Sequence, residues 1–335
     1  MTSDLDKLQE KELLLYPAFK ENNFTVAFAS DNNFVKYLSV AMLSLIENCS
    51  GKYNYDIVIL ENNISNKNKR LLHKEVSDYK NVFLRFVDVQ RFYDENKDIK
   101  FSITKNYTIA IYNRLFIPEI FKNYSKVLYL DCDIVVKGDL SDLYEIDLEN
   151  NYIGAIVDMG ALAWKTEDSN SDAFYKYKEI NSGVILYNIK ECLKNNFTEK
   201  CLDNIKIDDN ILDQTAIDIT CKGNIKYIDY RYNFFASVLD DTENIKDIIP
   251  KYILNDIRII HFTGAKCWFR DFAHNSNADW FYYFTKTPFF NLFTLIVLKF
   301  ELFRYKICIK ITRNEKQKKY AKKVKVLEKI VGRLT

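Results

Sequence analysis

Two aspartates separated by one residue follow a short apolar segment near the middle of the chain. Residues 127–130 have the composition of a buried strand, and Asp131 and Asp133 come directly after them. Two carboxylates at the end of a strand form a hard oxygen site suited to Mg²⁺ or Mn²⁺, which can bridge a protein and a diphosphate. The alternative is that the pair caps a turn, and Asp4-Leu5-Asp6 shows that the spacing alone is weak. The preceding strand is what favours a metal site at Asp131 and Asp133.

A second strand-like segment, residues 258–262, carries further polar groups. His261 is a candidate third ligand, and an imidazole beside two carboxylates favours Mn²⁺ over Mg²⁺. Gly264 allows backbone amides to approach an anion, and Lys266 supplies a point charge for a phosphate. Taken alone, a histidine at such a position is more often a hydrogen-bonded residue of the core than a metal ligand.

Motifs for other common chemistries are absent from the sequence. It contains neither GxGxxG nor GxxxxGK[ST], so it has no dinucleotide fingerprint and no P-loop. It also lacks HExxH and GxSxG, and three histidines in all leave few candidates for a histidine-based triad. Carboxylate chemistry is what remains.

Short apolar segments alternate with longer amphipathic ones, a pattern typical of strands alternating with helices. The predicted strands are residues 25–29, 55–60, 82–87, 127–130, 153–157, 183–187, 226–230 and 258–262. Helical spacing of apolar residues predicts a helix over residues 34–49. Ser65 is the predicted N-cap of a second helix, which ends near Tyr79, and Asp208 or Asp209 the predicted cap of another, which ends before Gly223. Such alternation predicts an α/β fold with a largely parallel sheet, in which ligands bind at the carboxyl ends of the strands.

Six short motifs stand in a fixed order along residues 24–270. They are Phe28-Ala29-Ser30-Asp31-Asn32-Asn33-Phe34, Tyr112-Asn113-Arg114-Leu115, Asp131-Cys132-Asp133, Asn181-Ser182-Gly183-Val184, Asp213-Gln214, and His261 with the turn from Gly264 to Lys266. In this order they resemble glycosyltransferase family 8, which includes bacterial lipooligosaccharide galactosyl- and glucosyltransferases and glycogenin. The resemblance implies a GT-A-type single domain with a mainly parallel, mixed sheet flanked by helices, a UDP-hexose donor, and Mn²⁺ or Mg²⁺ as cofactor.

The resemblance also implies roles for individual residues. Asp131, Asp133 and His261 match the metal ligands, and Asp213 and Gln214 match the pair beside the anomeric carbon. The residues implied to contact the donor are Ala29, Ser30, Asp31, Asn33, Arg114, Asp131, Cys132, Asn181, Asp213, Gln214, Gly264 and Lys266. Asn106, from the resemblance, and Asp158, from its place after residues 153–157, are the candidate acceptor contacts.

Several of these residues also have structural interpretations. Asp31 is a candidate cap of the helix from residue 34, and Asn33 a turn residue. Arg114, Asp213 and Gln214 are each consistent with exposed helical positions. Cys132 is expected to pack in the interior and to offer the nucleotide its backbone at most.

The resemblance implies a retaining transfer, and the residue at the nucleophile position suggests how. Retaining hydrolases use a carboxylate nucleophile about 5 Å from the acid. Gln214 stands at the corresponding place, and its neutral amide is a poor nucleophile. We therefore expect front-side attack by the acceptor hydroxyl, with the leaving phosphate as base and Asp213 orienting hydroxyls of the sugar.

Composition limits the class of protein. With 335 residues, 48% apolar and 15% aromatic, the chain can bury a large core, which excludes disorder as its dominant state. Seven cysteines without a CxxC pair predict reduced thiols in the cytosol. Residues 1–23 are charged and lack an apolar signal segment, and the longest apolar stretch, residues 289–298, is about half of what a membrane span requires. We therefore expect no integral membrane protein.

Charge is unevenly distributed. Residues 299–335 hold 13 Lys and Arg against 3 Glu, a net charge of +10, so the preceding residues carry −8. We predict an N-terminal extension over residues 1–23, a catalytic domain over 24–285 and a basic, aromatic, helical tail over 286–335. Within the tail, a helical apolar stripe is formed by Tyr320, Val324, Leu327, Ile330, Val331 and Leu334.

The tail is expected to bind an anionic membrane surface with this stripe facing the lipid. That places the protein in the cytoplasm, peripherally on the inner face of a bacterial membrane, near glycan or glycolipid acceptors in cell-surface polysaccharide assembly. The alternative is that the tail packs against the acidic body as a solvated helix. No base-stacking signature accompanies the basic residues, so no nucleic acid partner is expected.

Two other functions use some of the same residues. A metal-dependent nucleotidyltransferase would use Asp131 and Asp133, but the Asp213-Gln214 pair and the segment from His261 to Lys266 argue against it. A non-catalytic protein that binds a sugar nucleotide, or scaffolds at a membrane, would need no complete metal triad. The donor hexose (glucose or galactose), the acceptor and the linkage are left open by the sequence.

Overall fold

A seven-stranded mixed sheet forms the centre of the fold. The computed structural model describes residues 15–103, 108–159, 179–240, 249–264, 266 and 276–332. The strands of this sheet lie in the order β3-β2-β1-β4-β7-β6-β8. Their bounds are Asn23–Asp31 (β1), Asn54–Asn62 (β2), Val82–Asp88 (β3), Lys126–Leu130 (β4), Ile153–Val157 (β6), Ile180–Asn188 (β7) and Ile225–Tyr227 (β8).

Most neighbouring strands of the large sheet are parallel. β1 pairs in parallel with β2 and β4, as do β2 with β3 and β6 with β8. β7 is antiparallel to both of its neighbours, β4 and β6. The sheet therefore confirms the predicted mainly parallel, mixed architecture. Because β7 runs the other way, its first residues lie beside the carboxyl end of β4.

The other three strands of the described residues form a second, smaller sheet. It has the order β5-β10-β9, with strands Ile134–Val136 (β5), Phe234–Phe235 (β9) and Ile259–His261 (β10). The sequence did not predict β5 and β9, because two or three residues are too short to show a period. The strand predicted over residues 226–230 is shorter than expected, since a 3-10 helix begins at Tyr230.

Helices cover the large sheet and close the chain. Their bounds are Val35–Glu47 (α1), Asn66–Val76 (α2), Gln90–Glu95 (α3), Ile117–Ile120 (α4), Ser141–Glu145 (α5), Ile189–Lys194 (α6), Phe197–Ile207 (α7), Asp213–Cys221 (α8), Ala236–Asp240 (α9), Lys251–Asn255 (α10), Asn277–Phe284 (α11), Leu292–Ile311 (α12) and Asn314–Gly332 (α13). A 3-10 helix spans Ile109–Phe116.

The predicted helix starts were partly right. Ser65 is the N-cap of α2, and its side chain accepts a hydrogen bond from the Asn68 backbone N–H. The prediction that Asp208 or Asp209 caps α8 was wrong, because α8 has Leu212 at its N-cap. Asp208 instead ends α7, and its carboxylate accepts the backbone N–H of Asn210 in the connecting turn.

Alternate residues of the central strand β1 explain why both faces of the sheet are covered. Val26 and Phe28 point into the cluster that includes α1, whereas Ala27 points into the opposite cluster with Tyr112. All of these side chains are fully buried. The interior strands are apolar on both faces, as a sheet between two helical layers requires.

The two C-terminal helices form a hairpin whose buried and exposed faces differ from the prediction. Val324, Leu327 and Ile330 of α13 are buried in a cluster with Trp280 of α11. The stripe expected to face a membrane therefore packs against the body, and the prediction of that face was wrong; Leu334 lies outside the described residues. Hydrophobic packing between the hairpin and α11 is the physical reason.

The exposed apolar surface of the hairpin lies on α12. Ile296, Phe300, Phe303, Ile307 and Ile311, here called the α12 stripe, are 42–74% exposed and recur every three or four residues. No helix in the described part of the chain is both long enough and apolar enough to cross a membrane. The predicted division of the chain at residues 24 and 286 stays a prediction.

Candidate functional site

The two sheets meet at the aspartate pair. Asp131 follows β4 of the large sheet, and Asp133 precedes β5 of the small one. β10 is antiparallel to β5 with His261 opposite Ile134, and the Phe262 backbone N–H donates to the Asp133 carbonyl over 2.9 Å. Strand pairing therefore brings His261 to the aspartates across about 130 residues of sequence.

Asp131, Asp133 and His261 form one cluster. One ligand atom from each lies within 4.8 Å of the other two. His261 Nε2 is 3.2 Å from Asp133 Oδ1 and 3.8 Å from Asp131 Oδ2, and the histidine is 3% exposed. Lys266 forms an ion pair with Asp133. Burial opposes ionisation of Asp133, but His261 and Lys266 hold the pKa of its carboxyl well below the usual range.

Gly183 of β7 makes room for the cluster. A Cβ atom at this position would clash with the His261 ring and lie 2.8 Å from Asp131 Oδ2. The Gly183 carbonyl also accepts the Asp131 backbone N–H over 2.8 Å, and this hydrogen bond fixes the distance between β7 and the segment that follows β4. A side chain here would therefore occupy the space between two of the candidate ligands. The sequence showed Gly183 only as part of a motif, without this role.

Asn233 orients His261, and sequence reasoning missed it. The His261 Nδ1–H donates to Asn233 Oδ1 over 2.8 Å, and Asn233 is fully buried. Asn233 in turn donates through Nδ2 to Asn181 Oδ1 over 2.9 Å. With Nδ1 held by Asn233, the other ring nitrogen, Nε2, faces the two carboxylates. Asn233 lies in no motif, so the sequence offered no signal for it.

Arg114 holds the cluster from behind rather than facing solvent. It is 5% exposed, so its interpretation as an exposed helical charge was wrong. Its guanidinium lies 2.8 Å from Asp131 Oδ1 and 3.0 Å from Asp213 Oδ2, and it donates to the Ser182 carbonyl over 2.7 Å. Tyr129 donates its hydroxyl to the same Asp131 Oδ1, which leaves Oδ2 on the His261 side. The predicted contact of Arg114 with the donor stays a prediction.

Asp213 and Gln214 begin α8 on the other side of Arg114 from the candidate metal ligands. Asp213 is 6% exposed, which was not expected of a helix surface residue. Burial raises the pKa of Asp213, and the neighbouring Arg114 opposes that rise. Gln214 Oε1 accepts the Ser182 backbone N–H over 3.1 Å, so its amide is held against the start of β7.

The candidate acceptor residue Asp158 joins the same network. Its Oδ2 accepts a hydrogen bond from Asn181 Nδ2 over 3.1 Å. The chain of contacts therefore runs from His261 through Asn233 and Asn181 to Asp158. The other acceptor candidate, Asn106, lies outside the described residues.

The predicted nucleotide loop lies next to the aspartate pair. β1 and β4 are parallel neighbours, with Phe28 opposite Leu130, so the segments that follow them share one edge. The Cys132 thiol donates to the Ala29 carbonyl over 3.2 Å and burial raises its pKa, so it is a neutral packing group as predicted. Asp31 Oδ1 accepts the backbone N–H groups of Asn33 and Phe34 and so closes the turn before α1. The suggested capping role was wrong, because Phe34 is the N-cap and no side chain caps the helix.

The remaining predicted donor residues differ in exposure. Ser30 is 1% exposed and donates its hydroxyl to the Asp31 carbonyl, whereas Asn33 is exposed. Gly264 has a φ of +73°, a conformation that glycine adopts without strain, at the turn between His261 and Lys266. Their contacts with a donor stay predictions.

The donor set fits a divalent cation. Two carboxylate oxygens and one imidazole nitrogen converge from two segments, Asn233 fixes the orientation of the imidazole, and Gly183 keeps the space between the ligands clear. Two aspartates beside a histidine, with Asp133 buried and Asp131 half-buried, are costly without positive charge, which Lys266 and Arg114 supply in part. Asp131, Asp133 and His261 are thus the residues that would hold Mn²⁺ or Mg²⁺.

Comparison with protein families gives one match that covers most of the chain. The profile described as "Glycosyl transferase family 8" matches residues 25–271. This range contains all six motifs, the cluster of Asp131, Asp133 and His261, and Asn233. It ends before α11 and the C-terminal hairpin.

Individual relatives agree with the family match. A putative glycosyltransferase of Haemophilus influenzae is 27% identical over 79% of this chain and 84% of its own length. A lipopolysaccharide 1,2-glucosyltransferase of Escherichia coli is 24% identical over 78% of each chain. The crystal structure of the galactosyltransferase LgtC, solved with donor and acceptor sugar analogues, has a TM-score of 0.64 at 22% identity, over 80% of this chain and 98% of that one. At this identity the structural likeness shows the fold.

Proposed function

Because the chain belongs to glycosyltransferase family 8, we propose that it transfers a hexose, glucose or galactose, from a UDP-sugar to a glycan or glycolipid acceptor. We further propose that the transfer depends on Mn²⁺ or Mg²⁺ and retains the anomeric configuration. The observation that carries the proposal is the convergence of Asp131, Asp133 and His261 around the space that Gly183 leaves open. A divalent cation there would stabilise the negative charge of the leaving diphosphate.

The protein's own groups would bind and orient the donor. The segment after β1 shares an edge with Asp131 and Asp133, which supports its role as the uridine site. Lys266 lies beside Asp133 and would add positive charge near the diphosphate. Arg114, paired with both Asp131 and Asp213, would hold the two carboxylates in place.

Retention without a strong protein nucleophile is supported by the contacts of Gln214. Its amide oxygen already accepts the Ser182 N–H, and an amide oxygen attacks carbon poorly. We propose that the acceptor hydroxyl attacks the anomeric carbon from the same face from which the leaving group departs, and that it transfers its proton to the leaving phosphate. Asp213 would orient sugar hydroxyls and Asp158 would contact the acceptor.

The donor assignment is tested by UDP release. A panel of UDP-sugars should give release with UDP-glucose or UDP-galactose, and excess chelator should stop it. Asp131→Asn and Asp133→Asn should each abolish release, because each removes the charge of one ligand. The circular dichroism spectrum should stay unchanged, which shows that the fold is kept. The matched control Asp142→Asn, at an exposed position of α5, should keep full activity. Near-normal release from either site variant, or full release in chelator, would reject the metal assignment.

The stereochemical assignment is tested by the product. Proton NMR should show an α-linked product from an α-linked UDP-sugar, and Gln214→Ala should slow the transfer without trapping a glycosyl-enzyme at that position. A β-linked product contradicts the retaining mechanism.

We also propose that the C-terminal hairpin binds an anionic membrane, with the α12 stripe as the inserted face. Lys299, Lys306 and Lys310 follow one side of this stripe and Arg304 the other, given 3.6 residues per turn. An exposed apolar stripe between rows of cations suits the interface of an anionic bilayer. The proposal places the enzyme in the cytoplasm, on the inner face of a bacterial membrane, where acceptors for cell-surface polysaccharides are held.

Vesicle binding tests this surface. Phe300→Ser with Phe303→Ser should move the protein from the pellet to the supernatant with anionic vesicles, while UDP release persists. A control, Phe83→Ser with Ile207→Ser, removes two other exposed apolar side chains, on β3 and α7, and should still bind. If the full-length chain ignores anionic vesicles at low salt, the tail does not bind membranes.

A further inference from the structure

A cavity between the two C-terminal helices has no role in the site described above. Its volume is about 310 Å³, and it is lined by Arg304, Tyr305, Lys316, Lys319, Tyr320 and Lys323. We call it the hairpin cavity. The first two residues belong to α12 and the other four to α13, so both helices are needed to form it.

Positive charge dominates the hairpin cavity. Four of its six residues are cationic, and none of the described residues that line it is acidic. Arg304 is paired with Glu301 one turn away, and the Lys323 ammonium lies 5.3 Å from the centre of the Tyr305 ring. Lys323 is only 7% exposed. Cations that line one cavity repel one another, and an anion bound among them offsets that cost.

The chemistry of the lining favours a phosphate group among anions. A phosphate monoester carries about −1.5 to −2 charges near neutral pH and offers three acceptor oxygens. Lysine and arginine side chains are the usual protein donors to such oxygens, and charge-assisted hydrogen bonds to them are the stronger ones. The hydroxyl groups of Tyr305 and Tyr320 are further donors. The volume holds a phosphate together with part of the group that carries it.

The cavity lies at the edge of the α12 stripe. Arg304 is four residues after Phe300 and three before Ile307, so on a helix it lies beside both. Phe300 and Ile307 are exposed members of the stripe. Arg304 thus borders the stripe on one side and the cavity on the other, at the depth where lipid headgroups lie once the stripe is inserted.

We propose that the hairpin cavity binds the terminal phosphate of an anionic membrane lipid. This inference rests on the proposed membrane binding of the α12 stripe and gives it a headgroup preference. General attraction between a basic surface and an anionic bilayer depends on the total charge alone, at about 1 kcal/mol per Lys or Arg near the surface. A cavity depends in addition on which cations are present and on how exposed the phosphate is.

Two vesicle compositions and two double variants separate these effects. Vesicles with phosphatidic acid, whose phosphate is terminal, are compared with vesicles of phosphatidylglycerol at matched surface charge. Lys316→Gln with Lys319→Gln removes two cavity cations. Lys322→Gln with Lys325→Gln removes two exposed lysines of the same helix that do not line the cavity, so the loss of charge is equal.

The full-length chain should bind phosphatidic acid vesicles about three to ten times more tightly than phosphatidylglycerol vesicles. The cavity variant should lose this preference, and the control variant should keep it while binding both vesicles more weakly. Equal binding to both vesicles by the unaltered chain, or the same preference in both variants, overturns the cavity and leaves membrane binding intact. Absence of binding to either vesicle overturns membrane binding itself, whereas UDP release reports separately on the enzyme.

Free phosphate is the other source of the same chemistry. Addition of about 1 mM inorganic phosphate should leave the preference for phosphatidic acid in place, because the lipid is also held by the inserted stripe. If inorganic phosphate at that concentration abolishes the preference and binds the soluble protein with the same dependence on Lys316 and Lys319, the ligand is a soluble phosphate and the lipid assignment is wrong.

Discussion

The cluster of Asp131, Asp133 and His261 and the C-terminal hairpin differ in how well the sequence predicted where their side chains lie. At the cluster, Asp131, Asp133 and His261 lie together as the motifs predicted. In the hairpin, the predicted outer stripe of α13 is buried and α12 carries the exposed one.

The difference comes from how many elements constrain each group. Asp131 is fixed by its strand, by the Gly183 carbonyl and by Arg114, so its position follows from the pairing of the sheet. α12 and α13 each carry apolar residues on more than one side, and packing against each other, against α11 and against α1 decides which side is buried. Strand pairing fixes the positions of the residues at a site. A helix with apolar residues on more than one side can be buried on either side, so its pattern alone does not predict the buried face.

The largest effect is expected from Gly183→Ala, which should disrupt the cluster of Asp131, Asp133 and His261. Gly183→Ala places a methyl group against the His261 ring and Asp131 Oδ2, and β7 cannot withdraw because it pairs with strands on both sides. We expect loss of Mn²⁺ binding by calorimetry and a fall in UDP release of at least about 100-fold. Gly154→Ala on β6 is the matched control, since its methyl group meets the flexible end of the Leu148 side chain. Normal Mn²⁺ affinity in Gly183→Ala would show that the cluster is not the metal site.

Gly183 also marks the limit of what the sequence could predict. The sequence predicted the mainly parallel, mixed sheet in outline, because the strands and helices differ in period. It also predicted the cluster of Asp131, Asp133 and His261, because each lies close to the end of a strand. The clearance at Gly183 and the hydrogen bond from His261 to Asn233 arise between segments that are distant in sequence. These contacts form only when the small sheet assembles. Its strands β5 and β9 are too short to be predicted from the sequence, so the contacts could not be predicted either.

A second variant tests whether the predicted stripe of α13 is core. Leu327 is fully buried among residues of α11 and α12, so Leu327→Ala removes packing and leaves a cavity. The free energy of unfolding should fall by about 2–5 kcal/mol, measured by chemical denaturation. Lys325→Ala, at an exposed position of the same helix, should change it by less than about 0.5 kcal/mol. If Leu327→Ala is as stable as the unaltered chain, the α13 stripe is not buried and lies on the outer surface.

A smaller effect is expected at Asn233, which holds His261 without being a ligand. Asn233→Ala frees the imidazole to rotate and to change tautomer, so Mn²⁺ affinity should fall by about 10- to 100-fold. Asn233→Asp keeps an acceptor for Nδ1–H and should recover part of that affinity. Asn277→Ala removes another buried asparagine, on α11, and should leave Mn²⁺ affinity unchanged. If Asn233→Ala and Asn277→Ala bind Mn²⁺ equally well, Asn233 has no part in positioning His261.

The smallest change in the folded chain is expected at Phe303, and it completes the comparison between the two helices of the hairpin. Phe303 is 62% exposed, so most of its ring is already in water and little packing is lost in Phe303→Ala. The free energy of unfolding should change by less than about 0.5 kcal/mol, in contrast to Leu327→Ala on the neighbouring helix. Binding to anionic vesicles should nevertheless weaken by roughly tenfold, because an inserted phenylalanine gains about 1.5–3 kcal/mol from leaving water. Denaturation and vesicle sedimentation of the same preparation give both quantities. A large loss of stability would mean that Phe303 packs within the protein, and unchanged vesicle binding would mean that the α12 stripe is not the face that meets the membrane.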